Sequence, residues 1–151
     1  MMNIVFVNRP NPLTEKKIQH FLNQIFVFLK THRVRQKKKL NQCQEISCVF
    51  LNRREMQKIN NQFRKKNKPT DVLSFQSEDP DSLGELLFCV SVLKTQAKQQ
   101  RHHFEHEFLY MLIHGVLHLL GYDHELSSEE HQKMFRLQDR CFSFILTEMQ
   151  K

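Results

Sequence analysis

Apolar and polar residues change their spacing several times along the chain, and each change predicts an element. Asn3 to Asn8 (NIVFVN) is rich in β-branched and aromatic residues and is stopped by Arg9-Pro10-Asn11-Pro12, which predicts an opening strand. Thr14 can cap a helix running to Lys30, in which Ile18, Phe21, Leu22, Ile25, Phe26 and Leu29 recur at helical spacing and form one wide stripe suited to a sheet. That period is lost between Lys30 and Gln44, where Arg33, Arg35 and Lys37-Lys38-Lys39 predict a basic loop. Ile46 to Leu51 (ISCVFL) reads as a second strand, and Asn52 caps a helix bearing Glu55, Met56, Ile59 and Phe63. Arg64 to Lys68 is a basic turn ended by Pro69, Thr70 to Phe75 a short third strand, Ser77 to Ser82 an acidic loop, and Glu85 to Val90 a fourth strand after Gly84. Beyond Val90 the spacing is helical in three segments, about Ser91–Gln100, about Phe104–Leu120, and Ser127 to the end. The last opens on Ser127 or Ser128 with Glu129 and Glu130, a pattern resembling a capping box. Four strands with helices between and after them predict a single α+β domain over residues 1–151, its mixed sheet roughly four-stranded.

Composition supports a packed domain. A chain of 151 residues can bury about 68–70% of its unfolded surface, and 40% hydrophobic with 26% charged residues excludes a wholly disordered chain, a collagen or a membrane bundle. Three Gly and no Trp leave little room for Gly-rich phosphate loops, while 13 Phe supply much of the core. Charge adds a partner. Lys plus Arg is 23 against 16 for Asp plus Glu, a net +7, which points to a polyanion, either nucleic acid or an acidic membrane surface. The longest apolar segment, Phe108 to Tyr122, is shorter than the roughly 18 residues of a spanning helix and contains two His. The N-terminal apolar stretch is too short for a secretory signal and lacks a basic region before it, so a cytoplasmic location with no membrane partner is expected. Cys43, Cys48, Cys89 and Cys141 form no CxxC pair and read as reduced thiols, Cys48 and Cys89 as small buried hydrophobes.

The candidate chemistry lies in His114-Gly-Val-Leu-His118-Leu-Leu-Gly121-Tyr-Asp-His124. On a helix His114 and His118 stand one turn apart on one face, and Gly121 can end the helix in a left-handed conformation that returns His124 toward the same point. Three neutral imidazoles then form a facial set with an open fourth position, as a catalytic zinc keeps and a structural zinc usually closes. A lone His in an apolar helix is ordinarily a hydrogen-bonded core residue, but three at this spacing before and after a helix-ending Gly favour a metal. His102, His103 and His106 have no matching turn and read as solvated surface. The spacing also equals that of the metzincin proteases, except that Gly115 takes the place of their catalytic Glu, which removes the general base.

HGVLHLLGYDH resembles the signature of the YbeY-type endoribonucleases, metalloproteins associated with ribosomal RNA maturation and ribosome quality control in bacteria. The likeness extends from about Ile46 to Met134. It includes Asn61-Gln62-Phe63-Arg64 followed by Lys68-Pro69-Thr70-Asp71-Val72-Leu73-Ser74-Phe75, and then Gly84-Glu85. Two departures stand out, Gln76 where the family typically has Pro and Glu85 where Asp is common. The resemblance implies one zinc per chain held by His114, His118 and His124, with Arg64 as the functional arginine. It also implies action on single-stranded RNA, most naturally ribosomal RNA precursor at the 16S 3′ end, with ribosomal proteins or the small subunit as further partners.

A guanidinium near the metal suits a scissile phosphate, which it can bind in a bidentate way while offsetting charge on the reacting oxygens. Zinc would activate water and polarise a phosphoryl oxygen; the proton acceptor stays open between that water and Asp123. The remaining Lys and Arg at 33, 35, 37, 38, 39, 65, 66 and 68 suit either a phosphate-tracking surface or a solvated one. No stacking aromatic can be picked, since most Phe fall on core-facing positions and only Tyr122 adjoins the His motif in sequence. Two rivals stand beside this reading. One is a non-catalytic ribosome-assembly factor with a structural zinc, which requires a fourth protein ligand; the other is a metalloprotease, opposed by Gly115.

Overall fold

In a computed structural model of the chain, which describes residues 2–8 and 13–151, ten elements follow one another. They are β1 (Asn3–Val7), α1 (Glu15–Lys30), α2 (Lys37–Gln42), β2 (Glu45–Leu51), α3 (Arg53–Arg64), β3 (Val72–Gln76), β4 (Ser82–Cys89), α4 (Val90–Gln99), α5 (Phe104–Leu119) and α6 (Ser128–Met149). The stop predicted at Arg9–Pro12 lies outside the described residues.

The expected α+β architecture is present as a single four-stranded sheet in the order β1-β2-β4-β3. β1, β2 and β4 are parallel, and β3 pairs antiparallel with β4, so the sheet is mixed. The main core joins α1, α5 and α6 to one face through Phe21, Leu22, Leu86, Phe88, Phe108 and Leu112, all at most 1% exposed. α3 covers part of the opposite face with Met56 against Leu73, Leu87 and Cys89. The stripe of α1 is buried at every position named from its spacing.

Local signals set the helix starts. The Thr14 hydroxyl accepts from the Lys17 amide at 3.0 Å, and Asn52 and Glu55 complete a reciprocal capping box at α3. At α6 only half of the expected box forms. Ser127 Oγ accepts from the Glu130 amide at 3.1 Å, while the Glu130 carboxylate pairs with Arg35 at 2.6 Å. The segment expected to be a basic loop contains α2. Gln36 enters it with a left-handed backbone, φ 51°, and Lys37 Nζ donates to the carbonyls of Leu29, Lys30 and His32, capping the end of α1. β4 also begins earlier than the apolar run suggests, because Gly84 pairs with Gln76 inside the ladder. A side chain there would place Cβ 2.4 Å from the Phe75 carbonyl oxygen, so only glycine fits.

α5 carries the site. It lies against β4 at Gly115, where a Cβ would come within 2.8 Å of Leu86 Cδ2. All four cysteines are free and buried, and burial pushes the Cys48 and Cys141 thiols up to about 12.

Candidate metal centre

The last turns of α5 and the residues just beyond it bring three imidazoles together. His114 and His118 share one helix face with their Nε2 atoms 3.1 Å apart. Gly121 then takes φ +91° and its amide bonds the His118 carbonyl at 3.0 Å, which turns the chain back. Ring centroids of His114, His118 and His124 are 4.6, 5.1 and 5.2 Å apart, a nearly equilateral triangle. One nitrogen from each ring lies within 4.8 Å of the others.

The tautomer of His114 follows from its neighbours. Gln138 of α6 is fully buried, and its amide nitrogen donates to the Tyr110 carbonyl at 3.1 Å. Its Oε1 is thereby an acceptor, and it faces His114 Nδ1 at 2.9 Å. Nδ1 must carry the proton, leaving a lone pair on Nε2, the atom that faces His118. Burial lowers the pKa of His114. For His118 burial, followed by the other two imidazoles, lowers it to about 4, so both rings are neutral at neutral pH. His124 Nδ1 is buried with no hydrogen-bond partner. Two facing Nε2 atoms at this separation suit two bonds of about 2.0–2.1 Å to one ion, and the orphaned His124 nitrogen is a further donor without a proton partner. The residues fit a metal ion. Among the described residues no Cys, Asp or Glu joins the three as a further ligand, which leaves the open position expected of a catalytic site.

The triad opens on a cleft of about 620 Å³ between α3, β3, α5 and the turn after it. Arg64, at the end of α3, lines the same cleft, and its Nη2 donates to Glu125 Oε1 at 2.8 Å. Asp123 lines it too, with Oδ1 accepting from the Glu125 amide at 2.9 Å, which shapes the turn after Gly121. The three histidines, Arg64 and Asp123, all singled out from sequence, therefore line one cleft.

Other expectations change. Tyr122 adjoins the motif in sequence but is buried away from the cleft, where its hydroxyl accepts from the Arg35 amide at 3.2 Å under the Arg35 guanidinium. The aromatics in the cleft are Phe63, Phe75, Tyr110 and Phe135. Much of the basic run is committed internally, with Arg35 on Glu130, Lys37 on the α1 carbonyls and Lys39 on the Ser77 carbonyl. Lys66 instead lines the cleft. His102 is not simply solvated, because its Nε2 meets the buried carboxylate of Glu107 at 3.0 Å. Gln76, where the resembled family typically has Pro, donates to the carbonyls of His118 and Leu119 at 3.4 and 3.3 Å and so braces the end of α5.

Gln138, Glu125 and Phe63 are the site residues that sequence reasoning missed. A signal for Gln138 existed. It interrupts the buried stripe Met134, Cys141, Ile145 of α6 at helical spacing, and a lone amide there needs a polar partner in the core.

An α+β domain that brings a three-histidine cluster able to hold a metal and a guanidinium into one cleft has the parts that a hydrolase of phosphate esters needs. The protease alternative is opposed by Gly115, since a Glu in its place would run into Leu86 on the sheet. The family model described as endoribonuclease YbeY matches residues 4–145. The endoribonuclease YbeY of Bdellovibrio bacteriovorus is 44% identical over 146 residues, covering 96% of each chain. That of Persephonella marina is 36% identical, covering 95% of this chain and 94% of its own. The solution structure of TM1509 from Thermotoga maritima matches with a TM-score of 0.66 at 27% identity, over 99% of this chain and 92% of that one. The chain belongs to the endoribonuclease YbeY family.

Proposed function

We propose that this chain is a zinc-dependent endoribonuclease that cleaves single-stranded RNA in the cytoplasm. Its substrate would be ribosomal RNA precursor at the 16S 3′ end, with a part in ribosome quality control and contacts to ribosomal proteins or the small subunit. The observation that carries this reading is the convergence of three imidazoles and the Arg64 guanidinium in one cleft of a chain from this family.

His114, His118 and His124 would hold one zinc ion, which when bound supplies Lewis acidity toward a phosphoryl oxygen. Gln138 fixes the His114 ring so that the correct nitrogen is offered. Arg64 binds the scissile phosphate by exchanging one oxyanion for another, releasing the Glu125 carboxylate and taking two phosphate oxygens. Its charge then offsets the negative charge that grows on those oxygens. Asp71 and Asp123 both line the cleft and are the side chains within which to seek the proton acceptor.

Metal analysis and single-turnover cleavage of one defined single-stranded RNA test the reading. Wild type should carry about one zinc per chain. Arg64→Ala should keep the metal and the melting temperature while cleaving about 100-fold more slowly. Lys at 64 should restore little, because a point charge does not reproduce the planar fork. Equal residual cleavage by wild type, Arg64→Ala and His118→Ala would favour the non-catalytic assembly factor.

A further inference from the structure

We propose that Phe63 is a base-stacking residue, which takes the face of an unpaired nucleobase beside the phosphate held at Arg64. The inference rests on the RNA reading above and adds to it the group that recognises a base.

Phe63 is 60% exposed, whereas Phe21, Phe88 and Phe108 are at most 1% exposed. Its exposure follows from the geometry of α3. Met56 and Ile59, earlier on the same helix face, pack on the sheet. One turn later the helix has reached edge strand β3, and Phe63 pairs edge-to-face with Phe75, with centroids 5.1 Å apart and planes at 69°. An edge-to-face contact of this kind holds one ring against the other without covering it.

The surroundings select a nucleotide over an apolar protein segment. Phe63, Arg64 and Lys66 all line the cleft that contains the triad. Lys65 between them takes a left-handed backbone, φ 57°, which ends the helix there. An exposed aromatic ring flanked by two cations suits a chain whose repeating unit is one flat base and one phosphate. Stacking on aromatic side chains with cationic contacts to the backbone is how sequence-tolerant single-strand sites are built. A paired base offers no free face to Phe63, so the residue would itself disfavour duplex RNA.

The chain contains no Trp, which makes Phe63→Trp a single-fluorophore reporter at the site. In chelator-treated protein, where cleavage is prevented, single-stranded RNA should quench this Trp, and the same sequence as a duplex should not. Binding is measured in parallel by fluorescence anisotropy of labelled RNA. Phe63→Leu, which keeps an apolar side chain on Phe75, should weaken single-strand binding about tenfold with an unchanged salt slope. Lys66→Ala should instead lower that slope by about one. Phe63→Tyr should bind as wild type. In the metal-loaded enzyme Phe63→Leu should raise KM with kcat little changed.

RNA binding without quenching, or wild-type affinity in Phe63→Leu, would overturn the stacking role and leave the nuclease reading standing. Absence of RNA binding by every variant and by wild type would overturn both. Equal loss of binding in Phe63→Leu and in Phe63→Tyr, which keeps the aromatic face, would likewise overturn the stacking role.

Discussion

Helix α5 has three histidines near each end, and the two sets have different fates. At its C-terminal end His114, His118 and His124 converge, with ligand atoms within 4.8 Å of one another. At its N-terminal end His102 bonds Glu107 at 3.0 Å, His103 caps the helix without a side-chain bond, and His106 lies edge-on to Phe142 at 6.3 Å. Number of imidazoles does not separate these sets. The C-terminal set has a one-turn spacing, a glycine that reverses the chain, a buried acceptor for one ring nitrogen and no carboxylate taking its rings singly. The N-terminal set has a buried carboxylate that draws one ring away from the other two.

Substitution of each set in turn should separate them most sharply. His114→Ala, His118→Ala or His124→Ala should lower zinc from about one per chain to a small fraction, because two imidazoles do not make the facial set. RNA cleavage should fall with it. The triple change of His102, His103 and His106 to Ala should leave metal content and cleavage rate near wild type. Chelation should likewise lower the melting temperature of wild type and of the N-terminal triple variant, and leave His118→Ala unmoved. Metal analysis beside thermal melts reads all of these, and full occupancy retained in a His114→Ala, His118→Ala double variant would exclude the assigned site.

The second contrast is between the groups that hold the rings. Gln138 acts on His114 through a hydrogen bond to the nitrogen opposite the proposed ligand atom. Gln138→Leu should keep the helix packing but free the ring to rotate or change tautomer, weakening zinc affinity by about 10- to 100-fold. Gln138→Glu should restore only part of that affinity, since a carboxylate also accepts from Nδ1 but has no N–H to give the Tyr110 carbonyl. Competition with a chromogenic chelator measures both, and wild-type affinity in Gln138→Leu would remove this residue from the centre.

How much of this was legible beforehand depends on range. Local devices were readable. Asn52 and Glu55 box the start of α3, Gly121 reverses the chain with φ +91°, and the α1 stripe is buried where its spacing says. The His triad shared this advantage, because a helix and one turn place it. What the sequence did not disclose depends on partners far along the chain. Arg64 meets Glu125 across 61 residues, and Arg35 meets Glu130 across 95. The basic run looked like one feature and divides into internal ties and cleft-lining cations for that reason. α2 stands where the sequence predicts a loop because a six-residue helix with one buried side chain, Leu40, has no periodicity to read. Tyr122 stands within two residues of His124 in sequence yet does not line the cleft, since its hydroxyl is turned to the Arg35 amide.

The smallest expected effect tests the other end of α5. Glu107 is 4% exposed, and its carboxylate Oε2 meets His102 Nε2. His102→Ala would leave a buried acceptor short of that partner, at a cost of about 1–3 kcal/mol if nothing replaces it. Because His102 is itself one-third exposed, water can take over part of the bond, which places the expected loss near the low end. For a chain of this length each kcal/mol corresponds to about 2–4 °C in melting temperature. His102→Gln, which still offers a donor, should lose less than Ala, and Glu107→Gln combined with His102→Ala should recover part of the loss by removing the buried charge. Zinc content and cleavage rate should not move in any of them. A change in metal affinity on His102→Ala would mean that the two ends of α5 are coupled through the helix, and the division between a structural and a functional histidine set would then fail.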